Sequence, residues 1–187
     1  MRSRLPLDEL NALKKRLATH FDGQTGRIKS RKDCEDILDE LLDLYLLALA
    51  EAVDGVNRQF STSIQPTPQE VQETVYRRIQ GATWADRVLA WYMSGGTVDD
   101  IIRIAETEAH RISNEAAYNT AVKAGAKEKT WICMMLPTSR DTHIWLNKTT
   151  VPIDGYFYSY MGGQTLYPGQ WGIPEEDINC QCELEFK

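Results

Sequence analysis

The residues best suited to chemistry lie in the last third of the sequence. His143, Cys180 and Cys182 carry the nitrogen and sulfur atoms that bind soft metal ions, and Cys133 or Asp177 could supply a fourth ligand. Cys180 and Cys182 are separated by one residue, so in an extended strand both side chains would point to the same face. Zinc-binding cysteine pairs more often have two or more intervening residues. The pattern therefore indicates either a zinc site or two buried thiols that pack as small apolar groups, with a disulfide less favoured than both.

A catalytic interpretation uses some of the same residues. His143 could act as a general base and Cys180 or Cys182 as a nucleophile, while Arg140 could hold an anion. Glu108 could orient His143 or form an ion pair with Arg140. The sequence has no glycine-rich phosphate loop, no Ser-His-Asp pattern and no His-x-x-x-His helix, which are common signatures of catalytic sites. A buried structural network is therefore favoured over catalysis, and no cofactor other than zinc is expected.

The spacing of polar residues within one helix supports such a network. Glu108, Arg111 and Asn114 follow one another at intervals of three residues, which places them on roughly one helical face. Asn114 and Asn179 could satisfy the backbone amides of nearby turns. The predicted structural cluster comprises Glu108, Arg111, Asn114, Arg140, His143 and Asn179.

Signals for helix starts recur through the first two thirds of the chain. At four places a Ser or Thr is followed three residues later by an acidic residue, which is the capping-box pattern that begins a helix. Apolar residues at helical spacing follow each of these starts. The sequence therefore predicts helices over roughly 7–20, 31–58, 68–80, 84–94 and 97–125.

The character of the sequence changes after Gly125. Short apolar segments predict strands over roughly 131–136, 149–153 and 183–186, with 156–160 as a further candidate. Gly and Pro residues between these segments require turns. The predicted fold class is α+β: a helical region, 1–94, followed by a unit, 95–187, in which a long helix packs on a small β-rich C-terminal part.

Composition excludes several classes of protein. The 187 residues suffice for a sizeable core, and a net charge of −6 argues against a surface built mainly for nucleic acid. Basic residues near 14–16 and 27–32 leave a weak DNA contact open. No run of 18 apolar residues spans a membrane, and residues 1–6 lack the apolar segment of a signal peptide. Four cysteines without secretory features predict a reducing compartment.

A set of motifs follows a recognisable order between residues 98 and 186. They are Glu106-Thr107-Glu108, Arg111, Asn114, Gly125, Lys129-Thr130-Trp131, Ser139-Arg140-Asp141-Thr142-His143, Val151, Pro168 and Asn179-Cys180-Gln181-Cys182. This order resembles the phage Mu F-like family of head morphogenesis (minor capsid) proteins. That family is marked by a helix with Arg-Thr-Glu and a downstream Asn, then Gly and Trp, then Arg-x-x-His, a Pro-rich loop and a terminal Asn-Cys-Arg-Cys.

This sequence departs from the family pattern at two positions. Glu106 and Gln181 stand where the family usually has Arg, so a polar cluster built on those arginines must be rearranged here. Some members look zinc-binding, with a Cys-x-x-Cys near the Arg-x-x-His segment. In this sequence only His143, Cys180 and Cys182 keep such ligands. The resemblance also implies that some relatives carry C-terminal toxin extensions.

The resemblance implies a non-enzymatic minor head protein that acts in head morphogenesis, and in DNA packaging or ejection. Its expected location is the virion, in the capsid interior or at the portal vertex, after assembly in the host cytoplasm. Its expected partner is the portal protein, on which it could be present in several copies, with the scaffold or major capsid protein as further candidates. Region 1–94 would then dock on the portal or scaffold, and region 95–187 would be the Mu F-like unit.

Two other functions stay open on the sequence. One is a small enzyme or toxin-like effector of the nuclease type that uses Glu108, Arg140 and His143. The other is a zinc-stabilised adaptor.

Overall fold

The computed structural model describes residues 7–187, with side chains described from residue 11 onward, and confirms the α+β fold class. The prediction about residues 1–6 lies outside the described residues. The helices are α1 (Leu7–Ala18), α2 (Arg31–Phe60), α3 (Pro68–Val75), α4 (Trp84–Ser94), α5 (Val98–Lys123), α6 (Asp141–Leu146) and α7 (Pro174–Asp177). The strands are β1 (Glu128–Ile132), β2 (Thr150–Pro152), β3 (Phe157–Ser159), β4 (Gly163–Thr165) and β5 (Glu183–Phe186). None of the described helices is both long and apolar enough to cross a membrane.

The predicted helix starts are confirmed at all four capping patterns. Ser30, Thr67, Thr83 and Thr97 each accept a hydrogen bond from the backbone N–H three residues further on. At the last three, the acidic side chain also accepts from the backbone N–H of the capping residue, which completes the box. These interactions are local, which is why the sequence alone predicts them.

Two predicted elements end earlier than expected. Helix α3 stops at Val75, because Ile79 and Ala82 pair across a tight turn in which Gln80 has a φ of 52°. Strand β1 runs over Glu128–Ile132 and does not extend to residue 136. Met135, at a φ of 51°, lies in a conformation that a strand does not allow. Helices α6 and α7 and strand β4 are additional elements that the sequence did not predict.

Strand β1 is the central strand of a three-stranded antiparallel sheet in the order β2-β1-β5. Lys129 pairs with Phe186 and Trp131 with Leu184, so the last strand of the chain is joined to the first strand after α5. The Lys129 side chain is buried, where its Nζ donates to the carbonyl oxygen of Ile153 at 2.6 Å. Burial lowers the pKa of Lys129 to about 8. Strands β3 and β4 form a separate hairpin.

Helix α5 lies at the centre of the molecule. It packs most extensively on α2 and also contacts α1, α3, α4 and β5. All ten residues from 108 to 117 are buried, which no amphipathic surface helix would show. The buried apolar residues of the helical part and of the β-rich part form one continuous cluster around it. The division of the chain at residue 94 stays a prediction.

The loop after β4 reaches α5 at Gly169. This glycine has a φ of +85°, and a Cβ atom placed on it would lie 3.2 Å from both Cα and Cβ of Arg111. Gly162 has nearly the same φ, +86°, but a Cβ atom there would meet nothing within 4 Å. Both glycines have a left-handed backbone, but only Gly169 is in close contact with Arg111. Comparing substitutions at the two positions therefore separates the effect of the backbone conformation from the effect of the close contact.

We expect Gly169→Ala to destabilise the protein more than Gly162→Ala does. A left-handed alanine costs about 1–2 kcal/mol at either position. At residue 169 the crowding against Arg111 adds about 1–3 kcal/mol. Urea unfolding of the two variants measures the difference, and equal losses of stability would contradict the close approach.

Candidate metal centre

Three buried side chains converge between α6 and the segment that precedes β5. His143 lies in α6, and Cys180 and Cys182 lie on either side of Gln181. His143 Nδ1 is 3.6 Å from Cys180 Sγ and 3.4 Å from Cys182 Sγ, and the three atoms all lie within 4.8 Å of one another. The structure thus brings together residues that are 37 and 39 positions apart in sequence.

The backbone around the cysteines is held at several points. Arg140, the residue before α6, donates a hydrogen bond from its guanidinium to the carbonyl oxygen of Ile178. Asn179, at a φ of 58°, donates its N–H to Thr107 Oγ1 on α5 at 3.3 Å. The N–H of Cys180 donates to the carbonyl oxygen of Asp177 at 3.1 Å. These contacts fix residues 178–182, the cysteine segment, to both α6 and α5.

A buried carboxylate orients the histidine ring. His143 Nε2 lies 3.0 Å from Glu176 Oε2, although at an angle that is poor for a hydrogen bond. Glu176 accepts hydrogen bonds from Thr142 Oγ1 at 2.8 Å and from Ser159 Oγ at 2.9 Å. A carboxylate behind a histidine is the usual second partner in metal sites, since it holds the other ring nitrogen toward the ion. Glu176 was not predicted from the sequence, and no local motif indicates its role.

The two cysteine thiols interact with each other, and their pKa values shift in opposite directions. A hydrogen bond from Cys182, together with bonds from His110 and His143, holds the pKa of the Cys180 thiol well below its ordinary value despite burial. The pKa of Cys182 is raised, first by its hydrogen bond with Cys180 and then by burial. Of the two thiols, Cys180 is therefore the one whose anionic form is better stabilised, and the anionic form is the one that binds a metal ion.

The geometry of the three atoms fits a tetrahedral metal ion. With Zn–S near 2.3 Å and Zn–N near 2.05 Å, a tetrahedral angle places the nitrogen and sulfur about 3.6 Å apart. The observed separations of 3.4 and 3.6 Å agree with that value. Among the described residues, the structure thus contains a buried His/Cys/Cys group that could hold a metal ion. Cys133 is buried, but its sulfur does not belong to this converging group.

A second polar network lies within the helical part and includes two other predicted residues. The Arg111 guanidinium donates to Glu108 at 2.7 Å, to Glu115 at 2.8 Å and to the carbonyl oxygen of Thr74 at 2.9 Å. Arg87 donates to the other oxygen of Glu108 at 2.7 Å. Glu108 therefore pairs with Arg87 and Arg111 and not with Arg140 as the sequence suggested.

The remaining predicted residue, Asn114, connects α5 to the cysteine segment. Its Nδ2 donates to the carbonyl oxygen of Cys182 at 3.2 Å. His110 Nε2 lies 2.8 Å from the same oxygen, so this buried histidine, which the sequence did not single out, also contacts Cys182. The six predicted residues thus do not form one cluster. Glu108 and Arg111 belong to the helical network, while Asn114, Arg140, His143 and Asn179 all act around the cysteines.

Helical spacing could have revealed part of the missed network. Glu115 follows Arg111 by four residues, the spacing at which opposite charges meet on a helix. Arg77 and Arg87 join from outside α5, where no spacing rule applies.

Comparison with known proteins gave one partial likeness. No family model matches the chain, and no solved structure matches it. The chain is 32% identical over 85 residues to a protein named NAD(+)--arginine ADP-ribosyltransferase EFV, from Enterococcus faecalis. The match covers 43% of this chain and spans 17% of the length of that transferase.

This likeness corrects two predictions. The prediction of a phage minor head protein is contradicted, since the match is with a protein named as a transferase. The prediction of no enzymatic activity is contradicted by the same finding. The resemblance to the Mu F-like family, the portal, scaffold, major capsid and DNA partners, and the virion location stay predictions that none of these comparisons tests.

We expect Glu108→Gln to destabilise the protein by about 3–5 kcal/mol, because it leaves Arg87 and Arg111 with a neutral partner in a buried site. Asp36→Asn is the matched control. It removes a carboxylate from an exposed pair with Lys32, which is worth about 0–1 kcal/mol. Urea unfolding measures both variants. Similar losses would show that the buried network contributes no more than a surface pair.

Proposed function

We propose that this chain is part of a toxin-like effector enzyme that transfers ADP-ribose from NAD+ to arginine. We also propose that a zinc ion at His143, Cys180 and Cys182 stabilises its C-terminal unit. The observation that carries the class of enzyme is the 32% identity over 85 residues with the arginine ADP-ribosyltransferase. Since that likeness spans 17% of the transferase, the activity, the NAD+ substrate and the arginine acceptor are all parts of the proposal.

The choice of zinc rests on the donor atoms. Thiolate sulfur and imidazole nitrogen suit zinc, whereas calcium and magnesium require oxygen ligands. Two thiolates would neutralise a divalent ion, which favours binding in a buried site. His143 packs edge-on against Trp131 and stacks on Trp171, so much of the surroundings of the site is apolar. Bound zinc would hold α6 and the cysteine segment together and supply folding free energy to this unit.

The sequence suggested Glu108, Arg140 and His143 as residues of an enzyme site, but in the structure each of them already contacts other groups of the protein. Both oxygens of Glu108 accept from arginines, Arg140 donates to a backbone carbonyl, and His143 faces two sulfurs. The proposal therefore does not assign Glu108, Arg140 or His143 to the transfer of ADP-ribose. Arg140 would instead hold the metal-binding segment in position, and His143 would bind the metal ion itself.

The transfer activity is tested with the zinc-loaded full chain. Incubation with NAD+ and agmatine, a small guanidine, is expected to yield ADP-ribosyl-agmatine in proportion to protein concentration, measured by mass spectrometry. Omission of NAD+ is the control. A folded, zinc-loaded chain that forms no product with agmatine or with an arginine-rich protein would overturn the proposed activity.

Zinc binding has its own test. Elemental analysis is expected to find about one zinc per chain, and Cys182→Ser is expected to lose it. Cys34→Ser is the matched control, because Cys34 is equally buried but does not belong to the converging group. Removal of zinc from the wild type should lower its stability by at least about 2.7 kcal/mol if zinc is present at 100 times its Kd. Retention of zinc by Cys182→Ser would contradict the assigned ligands.

A second candidate function is a zinc-stabilised adaptor. It is favoured by the size of the cavity beside His143 and Cys182, whose volume of about 20 Å³ could not admit NAD+ at the metal centre. An adaptor would bind zinc with the same three ligands and form no ADP-ribosylated product. The transfer experiment therefore separates the two candidates, and the zinc experiment tests the site that they share.

A further inference from the structure

The cavity beside the candidate metal centre is polar and small. It is lined by His143 and Cys182 from the centre, and by Ser139, Arg140 and Gln181 among its other walls. Its volume of about 20 Å³ is room for one water molecule. The cavity therefore lies against two of the three residues that would bind the metal.

The protein supplies three ligands where a tetrahedral ion takes four. His143, Cys180 and Cys182 converge within 4.8 Å, and among the described residues no other His, Cys, Asp or Glu joins them. Because His143 and Cys182 line the cavity, the coordination position without a protein ligand can face it. Three protein ligands with one exchangeable position is the arrangement of open zinc sites, whereas closed structural sites use four protein ligands.

One residue that lines the same cavity, Gln181, carries an unpaired polar atom. Gln181 Oε1 is buried and has no hydrogen-bond partner among the described atoms. A buried acceptor without a donor costs about 1–3 kcal/mol, so such atoms usually have a water or ligand beside them. A water molecule in the cavity could donate to Gln181 Oε1 while its oxygen faces the metal position.

The charge at this cavity favours negative ligands. Arg140 uses Nη2 to hold the carbonyl oxygen of Ile178, and its guanidinium has further N–H groups. Ser139, in the same wall, has a hydroxyl oxygen that accepts a hydrogen bond from the backbone N–H of Leu136 at 2.9 Å. The hydroxyl proton of Ser139 can therefore be donated to a ligand. Arg140 and Ser139 together offer hydrogen-bond donors to an anion in the cavity.

We infer that the metal ion keeps an exchangeable fourth ligand in this cavity, a water molecule that a small anion can replace. This inference rests on the metal binding of the proposed function. It makes the centre an open site that binds an anion through the donor groups of Arg140 and Ser139, in addition to stabilising the fold. The ligand class is a small monodentate anion, because the cavity beside the metal position has room for about one water-sized group.

Cobalt(II) substitution of the full chain tests the inference, with azide as the probe. The absorption of the cobalt form is expected to show charge transfer from two thiolates and to change saturably as azide is added. Arg140→Gln should weaken azide binding about 3-fold to 5-fold, as expected for a partly exposed charge pair. Arg103→Gln, a change to an arginine paired with Asp100 elsewhere on α5, should leave azide binding unchanged.

Cys133 provides the alternative fourth ligand. In an open site, Cys133→Ala should leave the thiolate charge-transfer intensity and the azide response unchanged. X-ray absorption at the zinc edge of the wild type counts the sulfur ligands directly, without any variant. Three sulfurs, or an absorption spectrum insensitive to azide, would overturn the inference while leaving zinc binding intact. Absence of bound zinc or cobalt would overturn both the inference and the proposed metal site.

Discussion

The rest of the structure depends on the burial of Arg111 within α5. Ten consecutive residues of this helix are buried, and an unpaired charge among them would cost several kcal/mol. The Arg111 guanidinium is paired with Glu108 and Glu115 and also donates to the carbonyl oxygen of Thr74. Those two carboxylates in turn hold Arg87 of α4 and Arg77 beyond α3. One buried side chain therefore sets the position of the neighbouring helical elements.

The same helix also positions the candidate metal centre. Asn114 donates to the carbonyl oxygen of Cys182, and Thr107 accepts from the N–H of Asn179. On the opposite side, Arg140 holds Ile178 and Glu176 faces the ring of His143. The cysteine segment is thus fixed by α5 before any metal binds, and a metal ion would add a bond between this segment and α6. A preformed arrangement of this kind lowers the entropy that metal binding must overcome.

The motif order predicted a function that the comparison contradicts, and the structure explains how this could happen. The residues of those motifs lie mostly at turns, at buried pairs and around the cysteines, where they hold a small unit together. A unit of this kind can serve in proteins of different function, because fold and structural residues do not define chemistry. The likeness to an arginine ADP-ribosyltransferase therefore carries more weight for function than the motif order does.

The sequence by itself determined the helix starts and the α+β class, and it placed His143, Cys180 and Cys182 among five candidate metal ligands. Capping depends on residues three positions apart, and ligand chemistry depends on residue type, so neither needs knowledge of the fold. Only the tertiary structure decided that Glu108 pairs with Arg87, that Glu176 stands behind His143, and that Cys133 lies outside the converging group. These relations join residues up to tens of positions apart. The packing of α5 against the β-rich unit decides which groups are close to one another. A buried charge or polar atom must be paired, so its partner is one of the groups that this packing places nearby.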